Sequence, residues 1–104
     1  MEEVIYHLLE KLERPGLLKR GAQESLVSIE RGRAHLVIVA RDASEKVREF
    51  ILSRARLKGV PSLSVSEGRR LGHSSGLRVG ATAVAVLDPE LAGKILSITK
   101  AQRH

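Results

Sequence analysis

The order of hydrophobic patterns along this chain predicts an α/β fold, a three-layer α/β/α sandwich around a four-stranded mixed sheet. Three observations carry that expectation. The run Ala34-His35-Leu36-Val37-Ile38-Val39-Ala40 is aliphatic, mostly β-branched and bounded by Gly32-Arg33 and Asp42, which reads as a strand buried on both faces. Ala81 to Leu87 is a second strongly apolar strand. Segments with helical period stand between and around these strands, and a strand buried on both faces needs covers on both sides. Leu36 and Ile38 should then point to one layer, Val37 and Val39 to the other.

The elements follow in order. Val4, Ile5, Leu8, Leu9 and Leu12 recur at three- and four-residue spacing, predicting an amphipathic helix over 2–13 that ends before Pro15-Gly16. Leu17 to Arg20 is too short for a helix and reads as an edge strand. A second helix runs from about Ala22 to Arg31, with Ala22, Leu26 and Ile29 inward and Gly32 as its left-handed stop. Gln23, Glu24 and Val27 share its outer face, where a valine is unusual. After the central strand, Asp42 and Glu45 stand at capping-box spacing and open a third helix through about Lys58. Its expected core positions are Val47, Phe50, Ile51, Ala55 and Leu57, with Arg48, Arg54 and Arg56 off that stripe.

Val60 to Val65 alternates as a strand with Pro61 at its mouth. Ser66 is placed to cap a short helix through Leu71, and Gly72 to Gly80 reads as a glycine-punctuated loop. Asp88-Pro89-Glu90 is an N-cap, a first-turn proline and an acid, so a last helix starts there and reaches about Thr99, leaving a frayed basic tail.

Length and composition bound the function. The 104 residues make one domain, 1–104, with no linker or internal repeat. There is no Cys, which removes disulfides, thiol nucleophiles and Cys-ligated zinc and suits a reducing compartment. No apolar run approaches membrane-span length, and Met1-Glu2-Glu3 is unlike a secretory signal, so a cytoplasmic protein without a membrane partner is expected. The four histidines, His7, His35, His73 and His104, lack metal-ligand spacing. His73-Ser74-Ser75 sets a base beside hydroxyls, but the only aspartates, Asp42 and Asp88, suit helix caps and leave no orienting acid. No phosphate-loop or dinucleotide motif is present. These readings predict no catalytic residue, no metal and no cofactor.

Eighteen Lys+Arg against twelve Asp+Glu give a net charge of +6, which favours a polyanionic partner such as nucleic acid. Two segments could meet it. Lys19-Arg20-Gly21-Ala22-Gln23-Glu24 opens a helix, where free amides, the helix dipole and two cations favour an anion. Gly76 to Thr82 sets Leu77, Arg78 and Val79 among glycines, either covering unstacked bases or packing back on the core.

Taken together these blocks resemble the superfamily of kink-turn-binding ribosomal proteins, the L-seven-Ae and L-thirty-e proteins and their relatives. The resemblance runs from about Leu17 to Leu96. Its carriers are Gly21-Ala22-Gln23-Glu24-Ser25-Leu26, then Ile29 through Asp42, Val60-Pro61, Leu71-Gly72-His73-Ser74-Ser75-Gly76 and Ala81 through Val86. The resemblance implies the same sandwich and binding to an RNA kink-turn or related internal loop, in ribosomal RNA or another structured RNA, with other ribonucleoprotein subunits nearby. It also assigns roles. Gly21, Ala22, Gln23 and Glu24 would meet tandem sheared G·A pairs in the major groove, Arg41 and Arg69 the backbone or nearby bases, and Leu77, Arg78 and Val79 a flipped-out nucleotide. Gln23 stands where the family carries Asn, and Val27 where it carries a basic residue. Two rival readings remain: a structural subunit of the same fold without kink-turn specificity, and a small-molecule-binding or catalytic α/β domain.

Overall fold

The structure, a computed structural model, describes residues 2–12 and 15–101. Helix α1 spans Glu2–Glu10, and after a 3₁₀ turn at Pro15–Leu17 strand β1 covers Leu18–Arg20. There follow α2 (Ala22–Glu30), β2 (Leu36–Ala40), α3 (Glu45–Leu57), β3 (Ser62–Val65), α4 (Gly68–Ser74), β4 (Ala83–Val86) and α5 (Pro89–Ala101). The strands form one four-stranded sheet in the order β1-β4-β2-β3. It is mixed: β4 lies antiparallel to both β1 and β2, while β2 and β3 are parallel.

Both faces of the sheet are covered, as the doubly buried β2 requires. On one side Leu36, Ile38, Ala40, Val84 and Val86 pack with Ile5, Tyr6 and Leu9 of α1, Leu71 of α4 and Ile95 of α5. On the other, Val37, Val39, Ala83 and Ala85 meet Ile29 of α2 and Ile51 and Ala55 of α3. The alternation read from β2 thus assigns its residues to the two layers correctly. The small Ala83 and Ala85 let α2 lie close to the sheet, and Arg54 of α3 donates to Glu30 of α2 at 2.6 Å. No described helix is long and apolar enough to cross a membrane.

Several expectations are corrected. Val47, Phe50 and Leu57 are not core: they are 38%, 55% and 70% exposed, and the inward face of α3 is Ile51 and Ala55 with Leu52 beside them. In α2 the buried positions include Ser25 and Ser28, with Ala22 and Leu26 only half-buried. Asp42 does not cap α3. Ser44 does, accepting from the Val47 amide at 3.3 Å, while Asp42 Oδ1 accepts from the Gly68 amide at 2.9 Å and so caps α4. Ser66 caps nothing, and α4 runs on through Gly72-His73-Ser74, residues expected to be loop. The first helix is described to Glu10 and the last reaches Ala101, while residue 13 and the tail 102–104 lie outside the described residues. Asp88 caps α5 as expected, accepting from the amides of Glu90 and Leu91 at 3.4 and 3.2 Å.

Candidate nucleic-acid interface

Sheet direction decides where the candidate segments meet. β1, β2 and β3 end on the same edge of the sheet at which β4 begins, because β4 is antiparallel to its two neighbours and β3 is parallel to β2. Three backbone bonds pin the turns there: Gly21 donates to Ala83 O at 2.8 Å, Ala40 to Thr82 O at 2.9 Å and Arg41 to Val65 O at 2.7 Å. Segment 19–24, Arg41, the start of α4 and loop 77–82 therefore share one edge, although they are far apart in sequence.

Gly21 makes the turn from β1 into α2 at φ 99°, in the region that favours glycine, and α2 has no side-chain cap. The first-turn amides of Ala22, Gln23 and Glu24 have no intrahelical partner to find. Gln23, Glu24 and Val27 project outward on the exposed face of α2. Arg20 turns the other way: its Nε donates to Ser75 O at the end of α4 and its guanidinium lies against Gly76. It acts as a brace between the two candidate segments. Lys19, Arg20, Glu24 and Leu77 line one cavity of about 410 Å³ together with Gly16 and Leu18.

The second segment is held by α4. Leu77 donates to Gly72 O at 2.9 Å, Ala81 to Gly68 O at 2.9 Å, and His73 Nε2 lies 3.2 Å from Arg78 O. A methyl group on Gly72 would sit 2.1 Å from Val79 O, so α4 and the loop touch backbone to backbone. Leu77 is partly buried and packs back on the core, whereas Val79 is 66% exposed and Arg78 faces solvent beside it. On the far side of the loop, Arg69 shares a 280 Å³ depression with Asp42, Ala43, Gly68, Gly80, Ala81 and Thr82. Arg41 is engaged, with Nη2 donating to Glu2 Oε2 at 2.7 Å and to Ser66 Oγ at 2.8 Å. Burial acts to raise the Glu2 carboxyl, but the Ser66 and Arg41 bonds outweigh it and hold the group below its ordinary value. Glu2, Ser66 and Arg70 were absent from the sequence reading of this edge, and no local motif marks them.

The model of the ribosomal protein L7Ae/L30e/S12e/Gadd45 family matches residues 3–96. The chain belongs to this family. The L7Ae/L30e/S12e/Gadd45 sandwich also appears in two similar solved structures. A protein of unknown function from Bacillus halodurans C is 22% identical, with a TM-score of 0.81 over 88% of this chain and 92% of that one. The Giardia lamblia 15.5kD RNA binding protein is 23% identical, with a TM-score of 0.79 over 96% of this chain and 88% of the other. At these identities the likeness is one of fold. Among the described residues, no group of three or more His, Cys, Asp or Glu side chains could hold a metal ion in this L7Ae/L30e/S12e/Gadd45 member.

Proposed function

We propose that this protein is a non-enzymatic RNA-binding protein that recognises a kink-turn or related internal loop, in a ribosomal or ribosome-associated and cytoplasmic setting. The observation that carries the reading is the meeting of Gly21–Glu24 and Arg78–Val79 on one sheet edge, in a chain of net charge +6. Family membership and the RNA-binding Giardia protein of the same fold support it. In this reading Glu24 accepts from a guanine amino group, and Gln23 both gives and takes at an adenine edge. Lys19, Arg69 and Arg78 supply cations for phosphate, and Val79 offers an apolar surface to an unstacked base. Ribosomal RNA is the natural partner, with neighbouring ribonucleoprotein subunits around it.

One observation favours a structural subunit without kink-turn specificity: Val27 is 36% exposed where a cation would meet phosphate. Titration of wild type, Glu24→Ala and Val27→Lys against a kinked RNA and a straight duplex at two salt concentrations separates the readings. Glu24→Ala is expected to remove the preference for the kinked RNA, worth on the order of 1–3 kcal/mol for a lost base contact. Val27→Lys should tighten binding, by less at high salt. If Glu24→Ala keeps the discrimination and Val27→Lys changes nothing, the α2 face is not the RNA site and the structural-subunit reading takes its place.

A further inference from the structure

Glu2, in the first turn of α1, reaches into a cradle at the candidate edge. Its Oε1 accepts from the Ser66 amide at 2.7 Å, and its Oε2 accepts from the Ser66 hydroxyl at 2.9 Å and from Arg41 Nη2 at 2.7 Å. An amide, a hydroxyl and a guanidinium converging on two oxygens form a donor set equally suited to phosphate. The cradle does not need Glu2 to hold its shape, because Arg41 Nη2 also donates to Ser66 Oγ at 2.8 Å and the Arg41 amide is fixed to Val65 O at 2.7 Å. Its place is set by the sheet: Arg41 follows β2 and Ser66 follows the neighbouring parallel β3. The adjacent acid behaves alike, since Glu3 pairs through both its oxygens with Arg70, whose guanidinium also lies 4.3 Å from the centroid of the Tyr6 ring. Two acids on one turn of helix thus occupy two arginines at the rim of the edge.

We infer that the Arg41–Ser66 cradle is a phosphate subsite for the RNA backbone, occupied in the free protein by the Glu2 carboxylate and vacated when RNA arrives. The identity of the phosphate's carrier rests on the RNA-binding reading; the affinity of the cradle for an anion does not. Ion pairs as open as this one, with Arg41 49% and Glu2 28% exposed, are weak. An RNA phosphate presented by contacts at Gly21–Glu24 arrives at high local concentration and displaces the carboxylate. Glu2 then stays close as a like charge, so the wild-type protein gains less from this contact than a variant lacking that charge.

The test is Glu2→Gln, which keeps the side chain's size and removes its charge, with a melting curve to establish that the variant folds. Its affinity for a kinked RNA at low salt should rise by about 3–10-fold, and its log–log salt dependence should steepen by less than the about 0.7–0.9 of a whole phosphate contact, since that contact is made in both proteins and only the like charge of Glu2 is removed. Adding Arg41→Ala to Glu2→Gln should cancel the gain. Inorganic phosphate titrated into nitrogen-15-labelled Glu2→Gln should shift the Ser66 amide resonance saturably, and should do so far less in wild type. If Glu2→Gln leaves affinity, slope and the Ser66 resonance unchanged while Glu24→Ala still weakens RNA binding, the subsite is wrong and the RNA reading survives. If the Ser66 amide saturates with phosphate but neither protein binds RNA, the subsite is right and the RNA reading fails. No response to either probe overturns both.

Discussion

Gly72 leaves no room for a methyl group, because its Cβ would press on the Val79 carbonyl and on the Gly80 backbone. Gly72→Ala is therefore expected to push loop 77–80 away from α4, costing about 1–3 kcal/mol as overpacking does, and, under the proposed function, to weaken RNA binding through Arg78 and Val79. Gly93→Ala is the control: nothing lies within 4 Å of that site on α5, so replacement should stabilise by about 0.5–1 kcal/mol through helix propensity alone. Urea unfolding and RNA titration of both variants check the pair. Equal, small effects would mean the loop is not seated on α4. Residues of this kind also mark what a sequence conceals. A glycine among polar residues reads as a chain breaker, whereas Gly72 lies inside a helix and owes its identity to a backbone several residues downstream. Asp42 is a parallel case, since Asp-x-x-Glu suits a local cap but the amide it serves is that of Gly68, 26 residues away. Glu24 and Gln23, by contrast, were legible because an outer helix face follows from spacing alone.

At the scale of elements, α3 shows where periodicity runs out. Its apolar residues cover an arc wider than the strip that touches the sheet, so counting three and four cannot choose which part of the arc is buried. The sheet chooses. Ile51 and Ala55 are buried in the cluster that α3 shares with Ile29 of α2 and Val37 and Val39 of β2, and Val47, Phe50 and Leu57 are left on the open flank. Phe50→Ser should consequently change stability by no more than about 0.5–1 kcal/mol, whereas Ile51→Ala should cost about 2–5 kcal/mol. Denaturant unfolding of the two neighbours discriminates sharply: comparable losses would place Phe50 inside the core after all. The strands fared better, since short β-branched apolar runs between turn residues are too short for core helices. Only its partners were hidden, because register is a property of two segments.

For the molecule as a whole, the candidate site is a product of topology. The edge that unites segment 19–24 with loop 77–82 exists because β4, the last strand in sequence, lies between β1 and β2. Sequence reading could name both segments and, through family resemblance, suggest roles for them, but no pattern along the chain states that they are neighbours. Charge was legible only as a sum. Its distribution depends on pairings such as Arg41 with Glu2 and Arg70 with Glu3, which link positions some forty to seventy residues apart.

The same placement governs when the protein can fold. During synthesis β1 emerges early, yet its pairing partners are Val84, Ala85 and Val86, so it waits for most of the chain to leave the ribosome. Until then β2 and β3 can pair with each other, but β2 presents an unsatisfied edge on the side reserved for β4. A chain stopped at Gly80 should accordingly be protease-sensitive and lack a cooperative melt, while the 104-residue chain should melt cooperatively. Limited proteolysis and circular dichroism of the two would measure the difference. Folding is thus gated by the strand that also completes the candidate edge, and a nascent chain cannot present that edge before its core has closed.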